Sequence, residues 1–189
     1  MKKITMILSF LMLTVGLFAS DYCQLTWGDS ISEVKKHFPE MKQGQDKFAY
    51  IWLNKEEDTP LIGRIFMFDP EGKLYMVEVM YKYTAIVDSG DEDFFLQEIE
   101  KAMGVAFPVE FENDIKTLAS NHFKIRRYKD ASNGTSFIRY VREVEKKGDT
   151  SKLLVSVMYM STDYLLKKAE EMKAEQEKEL KTRRKKLSM

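Results

Sequence analysis

Residues 72–84 read GKLYMVEVMYKYT, and the end of this stretch recurs later in the chain. Residues 77–84 give the pattern V-x-V-M-Y-x-x-T, and residues 155–162 give it again, 78 positions downstream. Both runs are rich in the β-branched and aromatic residues that strands favour, and each follows a turn signal. The repeat therefore predicts two matching final strands in a β-rich protein with two related halves.

Working outward from these strands, the sequence predicts an α+β fold built from two tandem helix-plus-antiparallel-sheet units packed as one body. The first unit is expected over residues 21–86. It begins with a helix over residues 30–38, where Ser30 and Glu33 form a capping box. The second unit is expected over residues 87–162, and three strands are expected in each unit.

The second unit begins with a helix over residues 89–103, and Gly104 is a natural stop after it. Residues 105–120 leave two interpretations open, a strand or a helical turn. Beyond them, Asn133-Gly134 is a strong signal for a tight turn between two antiparallel strands. A hairpin is therefore predicted there.

The first twenty residues have the three parts of a secretory signal peptide. Lys2 and Lys3 supply the positive charge, Ile4–Phe18 is apolar, and Ala19 and Ser20 are small. The apolar part is shorter than the roughly 20 residues that a membrane span needs. We therefore expect cleavage near Ala19 or Ser20 and a periplasmic or secreted protein.

Cys23 is the only cysteine in the sequence. Bacterial lipoproteins have small residues just before their lipid-bearing cysteine, whereas Asp21 and Tyr22 stand here, so no lipid anchor is expected. A single cysteine cannot form an internal disulfide. A free thiol and an intermolecular disulfide both stay open.

The charge balance argues against nucleic acid as a partner. The chain has 30 basic and 30 acidic residues, and the signal peptide holds two of the basic ones. The mature protein would then carry a net charge near −2. Nucleic-acid binding needs a surplus of positive charge to neutralise phosphates, and none is visible.

Catalytic, cofactor-binding and metal-binding motifs are absent from the sequence. The glycines form no phosphate-binding loop, and no H-x-x-x-H or C-x-x-C spacing occurs. His37 and His122 are the only histidines, and each is interpreted as an ordinary surface residue. The sequence thus predicts no catalytic residue, no cofactor and no metal ligand, and favours a protein that is not an enzyme.

The last segment, residues 163–189, is predicted to be a protruding charged helix. Its first turns, with Tyr164, Leu165 and Ala169, are expected to pack against the body. The apolar stripe ends near Met172, and ion pairs four residues apart keep the rest helical. Its basic end is a candidate binding site for a partner or, weakly, for an anionic membrane surface, and it comprises Lys181, Arg183, Arg184, Lys185 and Lys186.

The closing strands supply the other candidate binding residues, which are Met80, Met158 and Met160. Methionine adapts to irregular cores and to binding surfaces alike, and both sides of these strands carry apolar residues. The expected function is therefore binding of another protein in the bacterial cell envelope. Two alternatives stay open: a periplasmic hydrolase with paired carboxylates, and a carrier of an apolar ligand.

Residues 28–34, GDSISEV, resemble the G-x-[ST]-x-x-[QE]-V helix opening of two families, the SmpA/OmlA-type outer-membrane assembly lipoproteins and the β-lactamase-inhibitor proteins. The resemblance implies a helix followed by an antiparallel sheet, present twice in tandem in the inhibitor, and a protein-binding function. This chain lacks the G-x-P, the lipid cysteine and the disulfides of those families. The resemblance therefore implies no target and no functional residue.

Overall fold

The computed structural model of the chain describes residues 25–56, 59–82, 91–119, 122–148 and 150–187. Within these ranges, the side chains at positions 91, 117–119, 150–152 and 184–187 are not described. The predicted signal peptide and Cys23 lie outside the described residues.

The described residues form three helices and eight strands. In chain order they are α1 (Ile31–His37), β1 (Lys42–Gln43), β2 (Ala49–Leu53), β3 (Leu61–Phe68), β4 (Leu74–Lys82), α2 (Asp91–Met103), β5 (Glu112–Ala119), β6 (His122–Ser132), β7 (Ser136–Lys147), β8 (Thr150–Ser161) and α3 (Thr162–Leu187).

All eight strands form one antiparallel sheet in the order β1-β2-β3-β4-β8-β7-β6-β5. Strands β1 to β4 make one meander and β5 to β8 make another. The last strands of the two meanders, β4 and β8, pair at the centre. The fold is α+β and the sheet dominates it, so the two predicted units do not appear as two separate sheets.

Val79 and Val157, one from each run of the repeated pattern, lie directly opposite each other at this central pairing. They are 1% and 0% exposed. Val77 lies opposite Tyr159, and Tyr81 lies opposite Val155, so the same residue types surround the valine pair on both sides. The prediction that both valines are buried in central strands is confirmed.

Helices α1 and α2 pack on the same side of the sheet, which we call the helix face. The ring of Phe38, at the end of α1, lies 4.8 Å from that of Phe66 in β3. The ring of Phe95 in α2 lies 5.0 Å from that of Tyr81 in β4. All four side chains are buried, and they join the core of the central strands.

Specific polar contacts fix the two helices in place. The predicted capping box of α1 is present, because the Glu33 N–H donates to Ser30 Oγ at 3.3 Å and the Ser30 N–H donates to Glu33 Oε2 at 2.6 Å. In α2, Glu92 accepts hydrogen bonds from the Tyr140 hydroxyl at 2.7 Å and from Arg142 at 3.2 Å. These contacts hold the start of α2 over strand β7.

The predicted hairpin is confirmed. Strands β6 and β7 pair along their whole length, and the turn between them contains Asn133 and Gly134. Gly134 has φ +90°, a conformation that favours glycine. The Asn133 side chain accepts from the backbone N–H groups of Thr135 and Ser136, and it donates to the last carbonyl of α2, at Met103.

Strands β1 and β5 extend the meanders beyond the three strands predicted for each unit. Strand β5 decides between the two interpretations of residues 105–120 in favour of a strand. Its sequence, ENDIKTLA, is poor in strand-forming residues at the start. Pairing with β6 makes it a strand, and a single sequence does not reveal such a partner.

Helix α3 follows β8 directly and soon leaves the sheet. The ring of Tyr164 stacks on that of Tyr75, with their centroids 4.0 Å apart. Every described side chain from Ala169 to Arg183 is exposed. The expectation that Ala169 packs against the body is therefore wrong, because one turn beyond the stacked tyrosines the helix has left the described part of the body. No helix of the described residues has the length and apolar character needed to cross a membrane.

Candidate binding surface

The side of the sheet opposite the helices, which we call the far face, holds the candidate site. Side chains alternate between the two faces along a strand. Since Val79 and Val157 lie on the helix face, Met80 and Met158 lie on the far face. Helices α1 and α2 pack on the other side, and α3 is exposed from Ala169 onward.

The strand register brings apolar side chains from five strands together on the far face. In one row, Met67, Met76, Met160 and Phe137 follow one another across β3, β4, β8 and β7. The neighbouring row runs from β2 to β8, and Met80 follows in the row after it. Ala49 and Val141 in these rows are buried, and Leu53 is exposed. We call the partly buried apolar residues of the rows the methionine patch: Ile51, Ile65, Met67, Met76, Met80, Phe137, Met158 and Met160.

Every member of the methionine patch is partly buried, whereas Phe66, Val77, Val79, Val157 and Tyr159 on the helix face of the central strands are fully buried. Neighbouring strands shield the flanks of each side chain, and the ends keep some contact with solvent. Five of the eight residues are methionines, whose flexible and polarisable side chains adapt to differently shaped partners. A contiguous apolar surface of this kind is typical of an interaction site.

One acidic residue, Glu78, lies inside the methionine patch. Its direct neighbours across the sheet are Ile65 and Met158. No described residue forms an ion pair with it. The next cation along the row, Arg139, is bound to Asp130 on its other side through two contacts of 2.6 and 2.7 Å. The patch thus offers a partner an apolar surface with one negative charge.

The far face changes character toward β5, where charged side chains replace the methionines. Arg126 and Glu143 lie directly opposite each other, with Nη2 and Oε2 2.6 Å apart. Lys124 contacts Glu143 at 3.2 Å and Glu145 at 3.5 Å, and His122 Nε2 lies 2.7 Å from Glu145 Oε1. We call these five residues the ion-pair ladder.

The ion-pair ladder keeps its carboxylates charged. Partial burial acts to raise the pKa of Glu143, but hydrogen bonds from Arg126 and Lys124 outweigh it, and the pKa is lowered. The hydrogen bond from His122, helped by Lys124, lowers the pKa of Glu145. The hydrogen bond to Glu143 raises the pKa of Lys124.

A polar cavity of about 330 Å³ lies beside the ladder and is lined by Asp114, Lys116, Lys124, Arg126 and Glu143. A hydrolase with paired carboxylates needs one acid whose pKa is raised so that it can donate a proton. The pKa of Glu143 moves the opposite way, because two cations hold it. Glu143 is therefore held as the charged partner of two cations, and the described lining of the cavity is polar.

The structure places the sequence-predicted site residues in two separate regions. Met80, Met158 and Met160 lie together in the methionine patch. Lys181 and Arg183 are exposed on α3, and at 1.5 Å per residue Lys181 is about 28 Å along the helix from its start. Arg184, Lys185 and Lys186 are the other predicted residues of the basic end, and their side chains are not described.

Sequence reasoning did not assign the other members of the patch to the site. Met67, Ile51, Ile65 and Phe137 come from strands β2, β3 and β7, and their place beside the predicted methionines depends on strand order. The sequence signal that could have found them is the alternation of side chains along a strand, because each of these residues is adjacent in sequence to a residue of the helix face. Among the described residues, no group of three or more His, Cys, Asp or Glu side chains is arranged to hold a metal ion.

Comparisons of the chain with known protein families, with curated proteins and with solved structures gave no match.

Proposed function

We propose that this protein is a non-enzymatic protein-binding module of the bacterial cell envelope and that it binds its partner through the methionine patch. The observation that carries the proposal is the far face itself: eight apolar side chains from five strands form one surface, and among the described residues α1 and α2 pack on the opposite side while α3 is exposed from Ala169 onward. Exposed apolar surface costs free energy in water, roughly 25 cal/mol per Å². A partner that covers the patch recovers that free energy.

The chemistry of the patch defines the partner. Its apolar part fits the apolar face of an amphipathic segment, and the adaptable methionines suit a helix whose side chains differ in size. Glu78 lies among the apolar side chains without an ion pair to a described residue. A partner segment with a lysine or arginine within its apolar face would match this charge, whereas an acidic residue there would be repelled.

A pair of designed amphipathic peptides tests the proposal. Both have a leucine face, and a central residue of that face is lysine in one and glutamate in the other. We expect the purified protein to bind the lysine peptide more tightly, measured by fluorescence anisotropy. Met158→Ser should weaken this binding at least about fivefold, because the few interface residues whose truncation costs 1 kcal/mol or more cluster near the centre of the interface, where Met158 lies. Glu78→Lys should reverse the preference between the two peptides.

Met172→Ser is the matched control, because Met172 is 61% exposed on α3, away from the patch. It should leave both affinities unchanged. The proposal fails if neither peptide binds, or if Met158→Ser and Met172→Ser have the same effect. An unchanged preference in Glu78→Lys would remove the role of Glu78 and leave the apolar surface as the only determinant.

The cell-envelope setting is proposed from residues 1–20, whose sequence has the form of a signal peptide. Intact-mass analysis of the protein purified from a bacterial periplasm should show a start near Ser20 or Asp21. A diacylglycerol mass on Cys23 would instead indicate a lipoprotein and contradict the unanchored protein proposed here.

We also propose that the two meanders are related halves, each of one helix and four strands. The support is the symmetric surroundings of Val79 and Val157 and the order of elements, in which a helix precedes each meander. The resemblance of residues 28–34 to the SmpA/OmlA and β-lactamase-inhibitor families would further imply that this protein, like those families, binds other proteins. Equal stability losses on truncating the two valines would agree with this proposal.

A further inference from the structure

The two edges of the sheet differ in how they are protected from pairing with another chain. Strand β1 is only two residues long, so it presents almost no free backbone. Strand β5 is eight residues long and is the last strand on its side of the sheet. Half of the N–H and C=O groups of an edge strand point away from the sheet and are free to pair with a further strand. Within the described residues, no strand occupies this edge.

The side chains of β5 are also unusual for an exposed edge. Ile115, in the middle of the strand, is 67% exposed. Asp114 and Lys116 flank it, and neither forms an ion pair with a described residue. Charged residues on an edge often prevent pairing. Here the two have opposite signs and sit symmetrically around an exposed apolar residue.

The neighbouring strand does not satisfy these two charges. Asp114 lies opposite Arg126, which is already bound to Glu143 at 2.6 Å. Lys116 lies opposite Lys124, a residue of the same sign that contacts Glu143 and Glu145. Both charged side chains can thus pair with a further strand at this edge of the sheet.

We propose that two copies of this chain pair through β5, antiparallel and centred on Ile115, to make one continuous sixteen-stranded sheet. In this arrangement Asp114 lies opposite Lys116 of the partner subunit, and Lys116 opposite the partner's Asp114. Ile115 meets its own copy. Every charged pair among positions 114–116 is then attractive, and the exposed isoleucine is covered.

The register follows from symmetry and charge. A twofold axis perpendicular to the sheet keeps the helices of both copies on the same side. Residues that lie opposite each other in neighbouring strands point to the same face, so the axis must pass through a residue position and not between two residues. An axis at position 114 places Asp114 opposite its own copy. An axis at 116 does the same for Lys116, and an axis at 113 opposes Glu112 and Asp114. Like charges directly opposite are destabilising, whereas opposite charges attract. The axis at Ile115 is favoured because it alone places Asp114 opposite Lys116.

Charge reversal provides a sharp test, with the association constant measured by sedimentation of the purified protein. Asp114→Lys and Lys116→Asp should each weaken self-association by tenfold or more, on the order expected when two symmetric cross-strand pairs become repulsive. The double variant D114K/K116D should restore it, because the opposed charges again have opposite signs. A mixture of the two single variants should form heterodimers, although each alone is monomeric.

The mixture separates pairing from any damage within one chain, since two weakened proteins would not repair each other by mixing. Lys42→Asp, on the short edge strand β1, is the control and should leave self-association unchanged. A wild-type protein that stays monomeric at the highest soluble concentration overturns the proposal. Dimers that survive Asp114→Lys, or single variants that fail to associate when mixed, also overturn it and point to a different interface.

Discussion

Val157 and Met158 are adjacent in strand β8, but they lie in different surroundings. Val157 is fully buried on the helix face, opposite Val79. Met158 is partly buried on the far face, opposite Glu78. Val79 and Met80 in β4 show the same division. Where the described helices α1 and α2 cover one side of the sheet, alternate residues of one strand therefore serve two purposes: one set stabilises the fold, and the other forms a surface.

The largest expected difference between the two faces is in strand β3. Phe66→Ala should lower the free energy of unfolding by about 3–5 kcal/mol, because it empties a fully buried site beside Phe38. Ile65→Ala, one residue away on the far face, should cost less than half as much. Urea denaturation measures both. Equal losses would mean that something covers the far face as closely as the helices cover the other.

The central valines come next. Val79→Ala and Val157→Ala should each cost about 1–3 kcal/mol, from lost apolar burial and a small cavity. Because the two side chains lie opposite each other, the double variant should depart from additivity by about 0.5 kcal/mol or more. Met158→Ala should cost less than Val157→Ala. A neutral result for either valine, in chemical denaturation, would contradict the role of the β4–β8 pair as the core.

Acid should affect the charged half of the far face and spare the methionine half. The pKa of Glu143 is lowered in the folded protein, so its ion pairs stabilise the fold fully above the ordinary pKa of 4.5 and progressively less as the pH falls below it. Glu143→Gln should cost about 1 kcal/mol at pH 7. The difference from the wild type should shrink when unfolding is measured at decreasing pH. A difference that grows in acid would mean that the pKa is raised instead.

The smallest expected effect is that of the exposed part of α3. Deleting residues 174–189 removes side chains that are exposed wherever they are described. The melting temperature should fall by no more than a few degrees, since a loss of about 1 kcal/mol moves a domain of this size by roughly 2–4 °C. Binding of the lysine peptide to the methionine patch should not change. A large fall in melting temperature would show that the helix packs on the sheet.

Local signals in the sequence were enough for several elements. Ser30 and Glu33 indicated the start of α1, Asn133-Gly134 indicated the β6–β7 turn, and the V-x-V-M-Y runs indicated two buried strands. Each signal acts over a few residues, through a hydrogen bond, a backbone preference or an alternation of side chains. Such local signals do not depend on how distant parts of the chain pack, so they can be recognised without knowledge of the fold.

The edge strands and most of the candidate site could not be predicted in this way. Glu112–Ala119 is a strand because β6 lies beside it, and its own composition is not typical of one. Met67 and Phe137 are far apart in sequence and belong to one row only because β3, β4, β8 and β7 are successive neighbours. The exposure of Ala169 likewise depends on the direction in which α3 leaves the sheet.

The sequence by itself determined the α+β composition, the capped first helix, the hairpin turn and the burial of Val79 and Val157. All of these follow from interactions between residues close in the chain or from the period of two along a strand. Only the tertiary structure decided the strand order, and with it the methionine patch, the ion-pair ladder and the long free edge at β5. The physical reason is that pairing between distant strands depends on the total burial and hydrogen bonding of the whole sheet, which no single segment encodes.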